Sequence, residues 1–480
     1  MVRYLYIVLF GLLVNSIHAQ DTIFQKIYGS TSSDFGRAVV QTYDYNFIMA
    51  GTSTSFSSNS NHIWLLKVDS FGSYMWQKNY GGNNTEWVSD MIETRDSNLL
   101  VCGYTNSFGN GGYDGYVMKL NSVGDTLWTK TYGGIKWDLF YEVLESYSGD
   151  YYFCGETYNT DGIQDVFVVK TKPNGDTVWT KKFGTDSIDV AYAFVQTYDS
   201  NFVLVGKTHI NGGEDVYVLK IDSLGNLLWS TSFSWSFSDI AFDIIQHTDG
   251  HLLITGGSYS SLGLGDKDMF TLRLTTNGLN PLLKFIGGPD EDQANTIVLS
   301  KNNRVYIGGY NKSFAAGKKD ASYYHVDQYG NYQFGRILGF NEDEIIYDSY
   351  PCYDGSVVFF GQIASRGYGL DDYYLIKTDT LGNTTSQFVV IIGMEDADKK
   401  SVNKITMYPN PSNSVVNISS SEFMIKKVSV YSISGKSVYS YQFNDKEVSI
   451  YTNEMESGVY FLNVILENNQ TEITKLIISH

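Results

Sequence analysis

The sequence has few cysteines, few prolines and few basic residues. Its 480 residues include 3 Cys and 6 Pro, which excludes a disulfide-rich scaffold and a collagen-like fibre. Lys and Arg number 34 against 52 Asp and Glu, a formal net charge of −18. A nucleic-acid or anionic-membrane partner is therefore not expected, because either requires clusters of Lys and Arg. What the chain does have is 46 Gly, 38 Tyr and a 42 % apolar fraction, typical of a turn-rich β protein.

The amino end is typical of a secretory signal peptide. Arg3 precedes an apolar run over residues 4–14, and the small residue Ala19 follows a polar break. We therefore predict a signal peptide over residues 1–19, cleaved before Gln20. No later apolar run approaches the ~20 residues of a membrane-spanning helix, so the mature chain is predicted to have no transmembrane segment.

The three cysteines of this exported chain are interpreted as small buried apolar side chains. Cys102 and Cys154 occupy equivalent places in consecutive repeats, where the separation would exceed the reach of a disulfide. No CxxC or HExxH metal spacing occurs, so no cofactor is predicted from such motifs.

One phrase of about 50 residues recurs along most of the chain. Its turn glycines follow one another at intervals of 52, 51, 50, 53, 52 and 52 residues: Gly72, Gly124, Gly175, Gly225, Gly278, Gly330 and Gly382. A second series is Gly51, Gly103, Gly155, Gly206, Gly256, Gly308 and Gly361. Four residues after the first four turn glycines comes Trp76, Trp128, Trp179 or Trp229, which we interpret as packing between repeats.

Each repeat contains four short runs rich in aromatic and β-branched residues, bounded by Gly, Asn, Asp and Ser. A four-stranded unit cannot bury both of its faces alone, so repetition at this period predicts radially packed sheets. The fold prediction is all-β, with a seven-bladed β-propeller over residues 20–392.

The two ends of the array predict how the ring closes. Residues 23–29 copy the strand that contains Trp76, but the three preceding strands of that unit are missing. The seventh unit has Ser386 where the tryptophan belongs. We expect the N-terminal strand to complete the last blade and remove an exposed edge, with residues 384–392 as the alternative occupant.

The composition changes after the array. A charged linker is predicted over residues 393–402, and seven strand-like runs follow within residues 403–480. Turn signals at this spacing over about 80 residues predict a small immunoglobulin-like β-sandwich.

Two resemblances to known families follow from these motifs. The repeats resemble extracellular bacterial propeller repeats of the SBBP and kelch-like kind. The C-terminal region resembles the type A sorting domain of the type IX secretion system of Bacteroidetes, through YPNP, a Gly-Lys turn, a Gly-Val-Tyr strand entry and a Lys in the last strand. The residues carrying it are Tyr408, Pro409, Asn410, Pro411, Gly435, Gly458, Val459, Tyr460 and Lys475.

The second resemblance implies a route and partners. It implies Sec export to the periplasm and passage through the outer-membrane translocon of the type IX system. It further implies removal of the domain by the sorting peptidase, with the rest released or attached to the surface. The implied location is secreted or attached to the outer-membrane surface.

Acidic residues recur once in every repeat. The series is Asp34, Glu86, Asp138, Asp189, Asp239, Asp292 and Glu344. Seven carboxylates near one rim could hold Ca²⁺. A side chain needed by every blade is more simply explained by accepting hydrogen bonds from loop N–H groups, so the sequence favours a structural role.

Ligand binding is better sought where the repeats differ. Trp87, Trp137 and Trp235 lie in connections between units and are not shared by all of them. Aromatic rings of this kind stack on sugar rings or peptide side chains, whereas the structural alternative is that they cover the ends of the core.

The sequence favours a non-enzymatic glycan- or protein-binding propeller. A carbohydrate-active hydrolase or lyase with its site on the loops is one alternative, and a structural adhesion or surface-layer component is another. Acids repeated in all units do not single out a catalytic pair, so no catalytic residue is predicted.

Overall fold

A computed structural model describes residues 23–56, 60–210, 212–260, 262–367, 369–386, 388–391, 405–421, 423–432, 437–467 and 471–480. The chain divides into two compact units, Met1–Glu395 and Asp396–His480. The predicted signal peptide, the predicted linker and Gly435 lie outside the described residues.

The first unit consists of seven antiparallel sheets that follow one another along the chain. One strand, β1 (Phe24–Tyr28), precedes blade 1 in the chain. Blade 1 is β2 (Asp34–Gln41), β3 (Phe47–Ser53), β4 (His62–Val68) and β5 (Tyr74–Tyr80); blade 2 is β6 (Glu86–Glu93), β7 (Leu99–Thr105), β8 (Asp114–Leu120) and β9 (Thr126–Tyr132); blade 3 is β10 (Asp138–Glu145), β11 (Tyr151–Tyr158), β12 (Gln164–Thr171) and β13 (Thr177–Phe183).

The remaining blades repeat the same order. Blade 4 is β14 (Asp189–Gln196), β15 (Phe202–Ile210), β16 (Gly213–Ile221) and β17 (Leu227–Phe233); blade 5 is β18 (Asp239–Gln246), β19 (Leu252–Ser258), β20 (Asp268–Leu274) and β21 (Leu282–Ile286). Blade 6 is β22 (Asp292–Leu299), β23 (Val305–Asn311), β24 (Asp320–Val326) and β25 (Tyr332–Leu338); blade 7 contains β26 (Glu344–Pro351), β27 (Val357–Ile363) and β28 (Asp372–Lys377). The prediction of a seven-bladed propeller is confirmed.

The ring closes through the N-terminal strand. β1 pairs antiparallel with β28, so it takes the fourth position of blade 7, and Phe24 occupies the place that Trp76 has in blade 1. A further strand, β29 (Phe388–Ile391), pairs parallel with the outer edge of β1. The predicted closure by the N-terminal strand is therefore confirmed. Phe388–Ile391, from the segment considered as the alternative, forms a fifth strand next to β1.

The first strand of each blade is the innermost one. Consecutive first strands contact each other around the ring, and β2 of blade 1 also contacts β26 to β28 of blade 7. We call the side on which the first and third strands begin the loop face, and the opposite side the turn face. The loop face thus holds every connection between blades.

Both glycine series have a steric explanation. All seven turn glycines adopt positive φ, between 71° and 84°, which favours glycine. In the second series a Cβ on Gly103 would lie 1.9 Å from the carbonyl oxygen of Trp87. The sequence pattern places one member of the second series, Gly308, at the wrong position. In blade 6 the residue equivalent to Gly103 is Gly309, where an added Cβ would lie 1.9 Å from the carbonyl oxygen of Gln293. Gly308 is the preceding residue and pairs with Thr296.

The core lies within and between the blades. The second and third strands are almost wholly buried, while the fourth strands of blades 1 to 6 are partly exposed. The tryptophans of the fourth strands are half-buried and pack between blades, since the indole of Trp128 lies against Gly175 of the next blade. Cys102, Cys154 and Cys352 are buried and free.

The second unit is a small β domain of two sheets. Its strands are β30 (Ile405–Tyr408), β31 (Val415–Ser420), β32 (Ile425–Ser432), β33 (Ser437–Asp445), β34 (Glu447–Tyr451), β35 (Gly458–Leu466) and β36 (Thr471–Ile478). One sheet has the order β30-β31-β34 and the other β33-β32-β35-β36. Ile418, Val430, Ile450 and Leu462 are among the residues of their shared apolar core.

Candidate binding surface

The repeated acids begin the innermost strands on the loop face, and all are 0–4 % exposed. Each accepts a hydrogen bond from a backbone N–H four residues earlier, in the connection that enters its blade. The donors to Asp34, Glu86, Asp138, Asp189, Asp239, Asp292 and Glu344 are Ser30, Gly82, Gly134, Thr185, Trp235, Gly288 and Phe340, at 2.6–3.0 Å. The same contact in seven connections gives these carboxylates a structural role in turning the chain between blades.

The acid series does not form a shared cluster. Across the described residues, no three His, Cys, Asp or Glu side chains lie together in a way that could hold a metal ion. Calcium bound by this series stays a prediction.

Two of the three tryptophans singled out in the sequence belong to a continuous row of aromatic rings on the loop face. The ring centroids of Trp87 and Tyr104 lie 6.3 Å apart, those of Tyr104 and Tyr113 5.4 Å, and those of Tyr113 and Trp137 5.3 Å. Tyr158 continues the row at 5.6 Å from Trp137. We call these five residues the aromatic row.

The local fold presents the row to solvent. The prediction that Trp87 lies in a connection is wrong, because Trp87 stands within β6 as the direct partner of Tyr104 in β7. Trp137 lies in the connection to blade 3, as predicted. The Trp137 side chain is 47 % exposed, and its indole lies over Gly112, where a Cβ would come within 2.3 Å of the ring. The other four rings are half-buried, which holds them in fixed orientations.

Polar groups border the row. The amide of Gln164 donates to the Tyr158 hydroxyl at 2.7 Å. The buried Glu156 carboxylate accepts from Tyr141 at 2.9 Å, and burial raises its pKa. Burial also raises the pKa of Tyr104 to about 12, so its hydroxyl stays protonated and able to donate at neutral pH. An apolar platform edged by hydrogen-bonding groups results.

Some of the corresponding positions in blades 4 and 6 carry charged side chains, while Tyr310 and Tyr259 keep a ring at the positions of Tyr104 and Tyr158. Lys207 bonds Glu214 at 2.6 Å, and Lys319 lies 3.4 Å from Glu291. Lys319 also lies over the ring of Tyr310 at 4.1 Å. The loop face therefore has a continuous row of rings at blades 2 and 3, and ion pairs at blades 4 and 6.

Trp235 does not join the aromatic row. It stacks on Phe233 at 6.0 Å and meets Phe270 edge-on at 5.5 Å, and it packs against the core shared by blades 4 and 5. Its surroundings match the structural alternative of a ring that covers the end of the core.

No single sequence motif distinguishes Tyr104, Tyr113 and Tyr158. Each stands at a position that varies among repeats: the residue after Gly103 is Tyr104, whereas Glu156 and Lys207 follow Gly155 and Gly206. Comparing such columns across the seven repeats would have identified the row.

In the C-terminal domain the YPNP segment lies along the last strand. The Asn410 side chain donates to the oxygen of Lys475 and accepts from the N–H of Ile477, both at 2.8 Å. Tyr408 and Lys475 are exposed, Gly458 and Val459 begin β35, and Tyr460 is buried with its hydroxyl donating to the oxygen of Glu456. The peptide bonds before Pro409 and Pro411 are cis.

Residues 406–479 match the family described as "Secretion system C-terminal sorting domain". The chain ends in a type IX secretion sorting domain. This confirms the resemblance found in the sequence. The sorting domain engages the type IX machinery and directs the protein across the outer membrane to the cell surface or the medium. In the described part of the chain, no helix has the length and hydropathy required to cross a membrane.

Several solved structures are similar to this chain at low sequence identity. PorZ of Porphyromonas gingivalis, a surface component of the type IX secretion system, is 12 % identical with a TM-score of 0.38; the match covers 91 % of this chain and 58 % of PorZ. The Pan2 WD40 domain of Neurospora crassa is 9 % identical with a TM-score of 0.45, covering 74 % of this chain and 92 % of that domain. A puromycin hydrolase is 10 % identical with a TM-score of 0.49, covering 81 % and 59 %. No curated protein matches the sequence. At these values none of the structures informs the function of this chain.

Proposed function

We propose that the exported propeller is a non-enzymatic binding protein that holds a glycan on the aromatic row. The observation that carries this proposal is the row itself, five neighbouring rings at blades 2 and 3 of the loop face. Flat aromatic faces bordered by hydrogen-bond donors and acceptors suit the apolar faces and hydroxyl groups of sugars. The sorting domain delivers this surface to the cell exterior, where such ligands occur.

Trp137 is the most useful residue for a test, because it is the most exposed ring of the row. We expect the purified mature chain to bind one or more glycans on a glycan array. Calorimetry with a glycan identified there should show binding weakened about tenfold or more by Trp137→Ala, since central aromatic anchors dominate binding energy.

Phe237→Ala is the matched control. Phe237 is a large apolar residue of the same face, 78 % exposed, in the connection between blades 4 and 5 and outside the row. Equal loss in both variants would contradict a site on the row. If the wild type releases reducing sugar from a glycan, the protein is a hydrolase and the proposal of non-enzymatic binding is wrong. The absence of any glycan bound by the wild type would reject a glycan ligand.

A further inference from the structure

A β-bulge recurs in the innermost strand of every blade. The pairing of first and second strands skips one residue in each blade, at positions 37, 89, 141, 192, 242, 295 and 347. Bulged residues of neighbouring blades touch, as the ring centroids of Tyr141 and Tyr192 at 5.2 Å show. The bulge and the residue after it thus form the inner wall of the ring.

Four of the seven residues that follow the bulges are carboxylates. They are Asp90, Glu142, Asp243 and Asp348, which we call the axial carboxylates; the other three positions hold Ala38, Ala193 and Thr296. The four side chains are half-buried. Within the described residues none of them forms an ion pair with Lys, Arg or His.

Each axial carboxylate links its blade to the next one. Asp90 accepts from the N–H of Val143 at 2.9 Å, and Glu142 from that of Phe194 at 2.5 Å. Asp243 accepts from Ile297 and Asp348 from Val39, both at 2.7 Å. The last of these bonds joins blade 7 to blade 1. Four of the seven interfaces of the ring therefore contain a carboxyl group that titrates.

The surroundings of the axial carboxylates disfavour their charged form. The titratable groups that act on them are chiefly one another, and the thiols of Cys102 and Cys154 on the adjoining second strands lie nearby. Among the seven residues at the bulges one is a cation, Arg37, which stacks on the ring of Tyr347 at 3.9 Å. Burial raises the pKa of Asp90 to about 6, and burial with the neighbouring negative charges raises those of Glu142 and Asp348 well above their ordinary values.

We propose that the axial carboxylates make closure of the propeller proton-linked, so that the ring is held most tightly when they carry protons. The folded state then binds more protons than the unfolded state. The contribution of these carboxyl groups to the free energy of unfolding is fully present below about pH 4. It is lost as the pH rises through their raised pKa values in the folded state. For Asp90, the difference between 3.8 and about 6 corresponds to a roughly hundredfold fall in the folding equilibrium constant between pH 4 and pH 8.

Glu142→Gln tests the proposal on the mature full-length chain. The amide keeps an oxygen that can accept from Phe194 but cannot ionise. Urea unfolding followed by tryptophan fluorescence at pH 5 and pH 8 should show a smaller fall of the midpoint with pH for Glu142→Gln than for the wild type. It should also show a higher midpoint for the variant at pH 8.

The matched control is Glu291→Gln, the same change on the loop face, where the Tyr310 hydrogen bond and the Lys319 charge outweigh burial and lower the pKa of the carboxyl. This variant should show no smaller fall of the midpoint with pH than the wild type. Comparison with the wild type is required because other half-buried carboxyl groups, such as Asp268 and Asp320, also have raised pKa values. If Glu142→Gln keeps the full wild-type dependence, the proposal is wrong. Should that variant fail to fold, Asp348→Asn supplies the same comparison at the junction of blades 7 and 1.

Discussion

Replacing Tyr28 tests whether the N-terminal strand holds the ring closed. The side chain is fully buried in β1, in the core shared by blades 7 and 1, and its hydroxyl donates to the oxygen of Gly72 in blade 1 at 2.7 Å. Truncating a fully buried aromatic residue costs about 3–5 kcal/mol. We therefore expect Tyr28→Ala to lower the free energy of unfolding of the propeller by about that amount.

The assay is urea unfolding of the mature chain followed by intrinsic fluorescence. All 8 tryptophans precede residue 236, so the signal reports on the propeller and not on the sorting domain. Tyr28→Phe keeps the ring but leaves the buried Gly72 oxygen unpaired, and should cost about 1–3 kcal/mol. Tyr74→Ala removes a tyrosine of β5 that is 50 % exposed, and should change stability far less. If Tyr28→Ala costs less than about 1 kcal/mol, blade 7 does not depend on β1, and β1 does not hold the ring closed.

Three further outcomes are expected. Deleting residues 403–480 should leave the propeller in the periplasm of a host with a type IX system, and its appearance in the medium would refute the role of the sorting domain. Trp128→Ala should cost about 2–4 kcal/mol in urea unfolding, somewhat less than a fully buried tryptophan because the indole is half-buried; a loss under 1 kcal/mol would contradict packing between blades. A thiol reagent should leave the folded protein unmodified at pH 8 and react after unfolding, since burial raises the pKa of each thiol: Cys102, Cys154 and Cys352.

Periodic features of the fold were predictable from the sequence. The turn glycines mark positions that need positive φ in every blade, so their spacing fixes the number of blades. The copy of the fourth strand at residues 23–29 likewise predicts closure, because its partner strands occur only at the other end of the array. In blade 6 two adjacent glycines left the register ambiguous, and only the contact of Gly309 with the Gln293 oxygen resolves it.

The candidate sites were less predictable because they depend on contacts between blades. Trp87 and Trp137 stand 50 residues apart, and their connection through Tyr104 and Tyr113 requires the lateral packing of two blades. The axial carboxylates were hidden by the bulge, which breaks the alternation of side chains along the first strand. A strict period of two therefore assigns them to the wrong face.

The pairing of β1 with β28 also has a consequence for assembly of the molecule. Phe24 lies opposite Lys377, a separation of 377 − 24 = 353 residues, whereas the strands of the other blades pair with near neighbours in the chain. Contacts so distant in sequence form late, because the intervening chain must first be brought together. The part of the propeller that is synthesised first is therefore the last to reach its final place, and nearly the whole array must exist before the circle can be completed.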